Sequence, residues 1–175
     1  MYTPHHVHTW YDGSPTEKLA QAHALFDRLD REKMIDAPLS REIDQLRTDC
    51  QRLAAQMEAM ALGHLCSGCA ARPGGGCCGA PMADNTDSLQ ILINLLLGVD
   101  VAQRLPIDGE CCFLGPTGCL FAAKPIFCLN YNCSHILAGA DRASLACLER
   151  RAAAVLGRQT LIESLLLDRL RTLPF

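Results

Sequence analysis

Nine of the eleven cysteines in this 175-residue chain stand between positions 66 and 133, in two groups. The first is Cys66-x2-Cys69-x7-Cys77-Cys78, and the second is Cys111-Cys112-x6-Cys119-x8-Cys128-x4-Cys133. Two residues between Cys66 and Cys69 allow a tight turn that aims both sulfurs at one point, as a tetrahedral thiolate site with Zn–S near about 2.3 Å requires. Ser67 and Gly68 are small turn formers, and Gly68 accepts positive φ without strain. Neighbouring side chains in extended backbone point to opposite sides. At Cys77-Cys78 and Cys111-Cys112, therefore, one thiol ligates while the other packs, or the two serve different metals.

The use made of so many thiols depends on the compartment. The segment from Met1 to His8 has no cationic stretch followed by an apolar one, so it does not read as a secretory signal. The longest apolar stretch, Leu89 to Leu105, is broken by Gln90, Asn94, Asp100, Gln103 and Arg104 and falls short of the roughly 20 residues of a membrane span. A cytoplasmic protein follows, in which thiols stay reduced and metal ligation or redox chemistry explains the cysteines better than disulfides do. Sixteen basic against nineteen acidic residues leave a net charge of −3. That charge supplies no basic field for nucleic acid or anionic lipid.

The second group carries a resemblance. Cys111-Cys112-Phe113-Leu114, Cys119-Leu120-Phe121 and Lys124-Pro125-Ile126-Phe127-Cys128-Leu129-Asn130-Tyr131-Asn132-Cys133 resemble the bacterial YkgJ-like cysteine-cluster family. That family is described as a zinc- or iron-chelating domain, and the flagellin lysine methylase shares its motif. The resemblance covers roughly residues 64 to 135. It implies a ligand set of Cys66, Cys69, Cys77, Cys78, Cys111, Cys119, Cys128 and Cys133, with Cys112 in the place of a non-ligand. Three departures stand out. Seven residues separate Cys69 from Cys77 where the family has two, Lys124 replaces an arginine and with it a planar fork, and Leu129 replaces a second arginine.

Ligand type alone does not choose between zinc and an iron–sulfur cluster, since both accept four thiolates; copper or reactive thiols are further uses of the same set. Phe113, Leu114, Leu120, Phe121, Ile126, Phe127 and Tyr131 offer an apolar shell that suits a cluster and also a zinc-stapled core. The fixed charges between Cys66 and Cys133 already sum to −2, so bare thiolates added there repel one another until a cation compensates, and metal binding couples to folding. His64 and His135 lie two residues outside the outermost cysteines and read as neighbours rather than ligands. His5, His6 and His8 read as a solvated tract. Gly74-Gly75-Gly76 has no Lys-Ser or Lys-Thr after it and is no phosphate loop. No dinucleotide or S-adenosylmethionine fingerprint, nucleophile elbow or H-E-x-x-H occurs. Asp108 and Glu110 read as a solvated turn.

Helices must position this cluster. Residues 1–15 form a flexible tail. Leu19, Ala22, Phe26 and Leu29 predict a helix over Thr16–Lys33, begun by Pro15 and Thr16. Leu39, Ile43, Leu46, Cys50, Leu53, Met57 and Met60 recur at spacings of four and three, the seam of a helix from Ser40 to Leu62, capped by Ser40 and ended by Gly63. That helix is roughly 35 Å long, and a hairpin of the two over residues 16–63 is its natural product. Cys50 in the seam reads as a core residue. Residues 64–138 form the loop-rich metal-binding region around one helix, from Asp87 or Ser88 to about Gln103. Residues 139–175 hold two closing helices, Asp141–Leu156 stopped by Gly157 and Thr160–Leu173, with Cys147 a buried thiol. The fold class is mainly α: a helical hairpin plus a cysteine metal-binding centre covered by C-terminal helices.

The functional reading is a cytoplasmic metal-binding protein holding an iron–sulfur cluster or zinc, with a structural, redox or sensing role. Two alternatives belong to other classes. One is a cluster-dependent methyltransferase-like enzyme, implied only by the shared motif. The other is a zinc-stabilised adaptor whose heptad helix docks a partner or a second copy through Leu46 and Leu53.

Overall fold

In the computed structural model, residues 10–72, 76–101, 109–131 and 133–172 are described. The tail's first nine residues and its histidine tract lie outside them, as do Gly74, Gly75, Gln103, Asp108 and Leu173. The described chain is mainly helical, with seven α-helices and one two-stranded hairpin.

Helix α1, Pro15–Arg31, starts one residue earlier than its apolar spacing predicts, because Ser14 is the cap. Its side chain accepts from Glu17 N, and Glu17 Oε2 accepts from Ser14 N at 2.7 Å, which satisfies two otherwise orphaned donors. Helix α2, Ala37–Ala59, is likewise capped by Asp36 rather than Ser40, with Leu39 N donating to Asp36 Oδ1 at 3.0 Å. Pro38 sits in its first turn, where the missing N–H costs nothing. The helix ends at Met60 and Ala61, the latter at φ 54°, before Gly63 is reached. Helix α3, Leu62–Ala70, and the short α4, Ala80–Asp84, follow. Helix α5, Ser88–Leu96, is capped by Asp87 and stops at Gly98, φ +81°. Strands β1, Leu114–Gly115, and β2, Gly118–Cys119, pair antiparallel. A 3-10 turn at Ile126–Leu129 and helix α6, Ser134–Gly139, lead into α7, Arg142–Leu170.

Helix α7 corrects one expectation. It runs unbroken for 29 residues where Gly157 was expected to separate two helices. An interior glycine costs about 1 kcal/mol. The continuous stripe of Leu148, Ala152, Val155, Ile162, Leu166 and Leu170, all buried, outweighs it, at roughly 1.5–3 kcal/mol for each large side chain.

The seam of α2 corrects a second. Its residues Leu39, Ile43, Leu46, Cys50 and Leu53 are buried as expected, but the extensive partner is α7, not α1. Arg169 pairs with Asp36 at 2.5 Å, Arg158 with Glu42 at 2.5 Å, and Gln56 Nε2 donates to Ser144 O at 3.4 Å. These pairs run in opposite chain directions, so α2 and α7 pack as an antiparallel pair within one chain. Helix α1 instead lies on α5, where Ser88 Oγ donates to Gln21 Oε1 at 2.8 Å. Cys147 is only half-buried, because it stands beside the stripe of α7 rather than in it. No described helix is long and apolar enough to cross a membrane.

Candidate metal centre

The C-x2-C element is not a turn. Cys66 and Cys69 lie on α3, where a spacing of three places both thiols on one face, one turn apart. Two contacts hold this helix in place. Ser67 Oγ lies 3.0 Å from both Gly63 O and Gly115 O, and so ties α3 to the β-hairpin. Gly63 packs so tightly on that hairpin that a Cβ there would stand 2.2 Å from Thr117 O, and Gly118 opposite it adopts φ +117°.

The chain then runs through Gly76, where a Cβ would stand 2.8 Å from Cys69 Sγ. The two cysteine groups are then stitched by backbone. Cys111 N donates to Cys78 O at 3.0 Å, Ala80 N donates to Gly109 O at 2.9 Å, and Gly79 bridges Glu110. Alternation along this segment sends Cys112 into the core, 6% exposed, while Cys111 faces the other way. Leu114 pairs with Cys119 across the hairpin. Beneath them Phe113 and Phe121 pack with ring centroids 4.7 Å apart.

Cys128 sits on the 3-10 turn behind Pro125, and Cys133 caps α6. The approach to Cys128 is fixed by a polar clamp in the core. Asn94, fully buried, donates to Ala123 O at 2.8 Å and accepts from Ala123 N at 3.0 Å. Gln90 Nε2 also donates to Ala123 O at 2.7 Å, and Gln159 Nε2 donates to Lys124 O at 3.0 Å and to Gln90 Oε1 at 2.9 Å. Sequence reasoning treated Asn94 and Gln90 only as interruptions of an apolar stretch. Polar residues inside an otherwise leucine-rich helix were the available signal, since a buried amide demands partners.

The outcome is two adjoining cavities. The outer, about 520 Å³, is lined by Cys66, Cys69, Cys77, Cys78, Cys128 and Cys133, with Phe127 and His135 beside them. The inner, about 50 Å³, is lined by Cys66, Cys78, Cys111, Cys119 and Cys128, with Lys124, Met57 and Tyr131. Together they take in all eight cysteines that the family resemblance selects, and none of Cys50, Cys112 and Cys147. Tyr131 Oη donates to Met57 Sδ at 3.3 Å, a contact between the cluster and α2 that spacing did not suggest. His64 faces a different cavity, with Glu58 and Thr117. All eleven cysteines are free thiols. Among the described residues, no three Cys, His, Asp or Glu side chains stand close enough to share one ion.

The thiols differ in acidity. Cys78 donates to Cys66, which holds the Cys66 thiol below its ordinary value against the opposing effect of burial, with Lys124 adding positive charge. The same bond, together with burial, pushes Cys78 up. Burial raises Cys111 to about 11 and Cys128 to about 12, and it raises Cys119 as well. Lys124 is the cation these thiols face, and its Nζ also donates to Phe121 O at 3.1 Å. Such a site is soft, polarisable and apolar-walled, and it is short of positive charge.

Comparison with protein-family models, with curated proteins and with solved structures finds no match to this chain.

Proposed function

We propose that this is a metal-binding protein of the reducing cytoplasm, whose cysteine cluster takes zinc or an iron–sulfur cluster in a structural, redox or sensing role. The observation that carries the reading is selective. Eight cysteines drawn from α3, the Gly76–Gly79 segment, the approach to the β-hairpin at Cys111, the hairpin itself, the 3-10 turn and the cap of α6 line two adjoining cavities, while the other three do not line either. Core packing alone gives no reason for such a division, since buried cysteines behave as small hydrophobes wherever they fall.

The donor set fits a thiophilic metal: it is dominated by sulfur, with no carboxylate among the described residues of either cavity wall. The sulfurs stand around the cavities rather than closed on a point, so binding draws the walls inward. Bound zinc would supply a tetrahedral staple and positive charge; a cluster would supply one-electron chemistry. The chain's own part is to hold the ligand segments against the core through Asn94, Gln159 and Ser67, and to set Lys124 against the thiolate charge. The resemblance to the YkgJ-like cysteine-cluster family supports the same reading.

Anaerobic purification with elemental analysis and a visible spectrum tests it. Zinc, or iron with sulfide, is expected at near-integral amounts per chain. A colourless protein holding neither ends the proposal.

A further inference from the structure

Two of the thiols that line the cavities are in contact with one another. Cys78 donates its thiol hydrogen to the Cys66 sulfur. Both line the outer cavity and the inner one, so they stand where the two meet. Both are free thiols. The outer cavity, about 520 Å³, has the exposed Cys77 on its wall, so a molecule as small as a peroxide reaches these sulfurs from solvent.

The contact is held from both sides by one stretch of chain. Cys66 lies on α3, which Ser67 Oγ ties to Gly115 O at 3.0 Å and Gly63 packs against Thr117. Cys78 is held by its own carbonyl, which accepts from Cys111 N at 3.0 Å, and by the bridge of Gly79 with Glu110. Both sulfurs are therefore carried on backbone anchored to residues 109–119, and the freedom left between them is side-chain rotation. A disulfide brings two sulfurs to about 2.05 Å and tolerates little backbone displacement. Two thiols that share a hydrogen on anchored backbone meet that demand.

We propose that Cys66 and Cys78 form a reversible redox couple, a site of covalent modification by peroxides that closes to a Cys66–Cys78 disulfide. The couple needs only the chain's own thiols and goes beyond the metal-binding reading. The Cys66 sulfur attacks a peroxide oxygen: an S–O bond forms, the O–O bond breaks, and hydroxide leaves with the Cys66 proton as water. The Cys78 sulfur then attacks the Cys66 sulfur, the S–S bond forms and the S–O bond breaks, and the departing hydroxide takes the Cys78 proton as a second water. Two thiols and one hydrogen peroxide thus give one disulfide and two waters, with two electrons passing from sulfur to the peroxide. A dithiol reductant reverses the closure by thiol–disulfide exchange. In a reducing compartment, disulfides of this transient kind serve catalysis or redox sensing.

Two neighbouring thiols compete for the same role. Cys128 lines both cavities as well, but the Cys78 hydrogen is given to Cys66. Cys77 is the exposed sulfur, but consecutive side chains diverge, and it lines the outer cavity without reaching the inner one.

The test treats the reduced full-length chain, freed of metal by a chelator and then of reductant, with one equivalent of hydrogen peroxide. The expected product is a monomer that has lost two hydrogens and two of its eleven titratable thiols. Blocking of the remaining thiols, digestion and fragmentation are expected to place the link at Cys66–Cys78, and dithiothreitol to restore all eleven thiols. C77S is expected to keep the link and C78S to lose it. Retention of all eleven thiols, a link that maps to Cys77 or Cys128, or an oxygen retained on Cys66 in place of the link overturns the couple. Because the link is mapped on the unmodified chain, a serine variant that fails to fold does not protect the inference. Metal content of the purified chain is a separate reading: absence of zinc and iron ends the metal-binding proposal and leaves the couple standing, and a missing link in a chain that binds metal does the reverse.

Discussion

At the scale of single residues, three glycines separate local conformation from packing. Gly68, read from its spacing as a turn former that accepts positive φ, is helical instead, and a Cβ there would meet no heavy atom within 4 Å. Gly68→Ala is therefore expected to stabilise by up to about 1 kcal/mol and leave metal content unchanged. A fall in melting temperature would show that the segment is a turn after all. Gly157, also in open space, is expected to respond the same way. Gly63 is the opposite case: a methyl placed 2.2 Å from Thr117 O must push α3 off the β-hairpin. Gly63→Ala is expected to cost about 1–3 kcal/mol in denaturant unfolding and to weaken metal retention, since it parts Cys66 from Cys119. Asn94→Leu, which strands Ala123 N and leaves Ala123 O to Gln90 Nε2 alone, is expected to cost about 1–3 kcal/mol.

At the scale of elements, the pairing of α2 with α7 makes two demands. Leu46 and Leu53 are 0% and 1% exposed within one chain, so Leu46→Asp and Leu53→Asp are expected to unfold the protein. A folded monomer that had merely lost a partner would instead restore the adaptor reading. The second demand concerns acid. Asp36 is held below the ordinary carboxylate range first by Leu39 N, at the start of α2, and then by Arg169 of α7. Its stabilising contribution is present above the unfolded carboxylate's pKa, near about 4, and is lost as pH falls through the lower folded value. Asp36→Asn keeps a capping side chain but deletes the charge pair. It is expected to lower the melting temperature at neutral pH and to flatten its decline below about pH 4. An unchanged acid limb would show that Arg169 contributes nothing.

At the scale of the whole molecule, the helices and the thiols form two halves joined along Phe113, Phe121, Met57 and the Asn94–Gln159 clamp. Most of the fully buried side chains, among them Leu29, Leu46, Leu89, Leu148 and Ile162, belong to α1, α2, α5 and α7, while Phe113, Phe121 and Leu62 anchor the thiol-bearing half. On the metal-binding proposal, a chelator is therefore expected to raise amide exchange in α3, the β-hairpin and the 3-10 turn while leaving α2 and α7 protected. Uniform deprotection would mean that metal and helical core fold as one unit, as the repulsion among bare thiolates at first suggests.

Much of this was legible in the sequence because it is local. The apolar periods marked α1 and α2 within a few residues and the start of α5, while they divided α7 in two and carried α5 on to about Gln103 where it ends at Leu96; the same-face burial of Leu39, Ile43, Leu46 and Leu53 follows from spacing alone. The cysteine positions carried the thiolate chemistry, and their adjacent pairs already implied that one thiol of Cys111-Cys112 turns away. Tertiary structure decided what local signals leave degenerate. A C-x2-C run suits a turn or a helix face equally, until Gly63 against Thr117 and Ser67 against Gly115 favour the helix. A glycine such as Gly157 stops a helix only when less than about 1 kcal/mol of packing lies beyond it. A heptad seam shows that a partner exists without naming it, because the free energy of burying leucine is not directional; chain connectivity and the pairs from Asp36–Arg169 to Gln56–Ser144 selected α7. The gathering of eight sulfurs around two adjoining cavities likewise depends on which backbone segments meet, which no spacing within either group records.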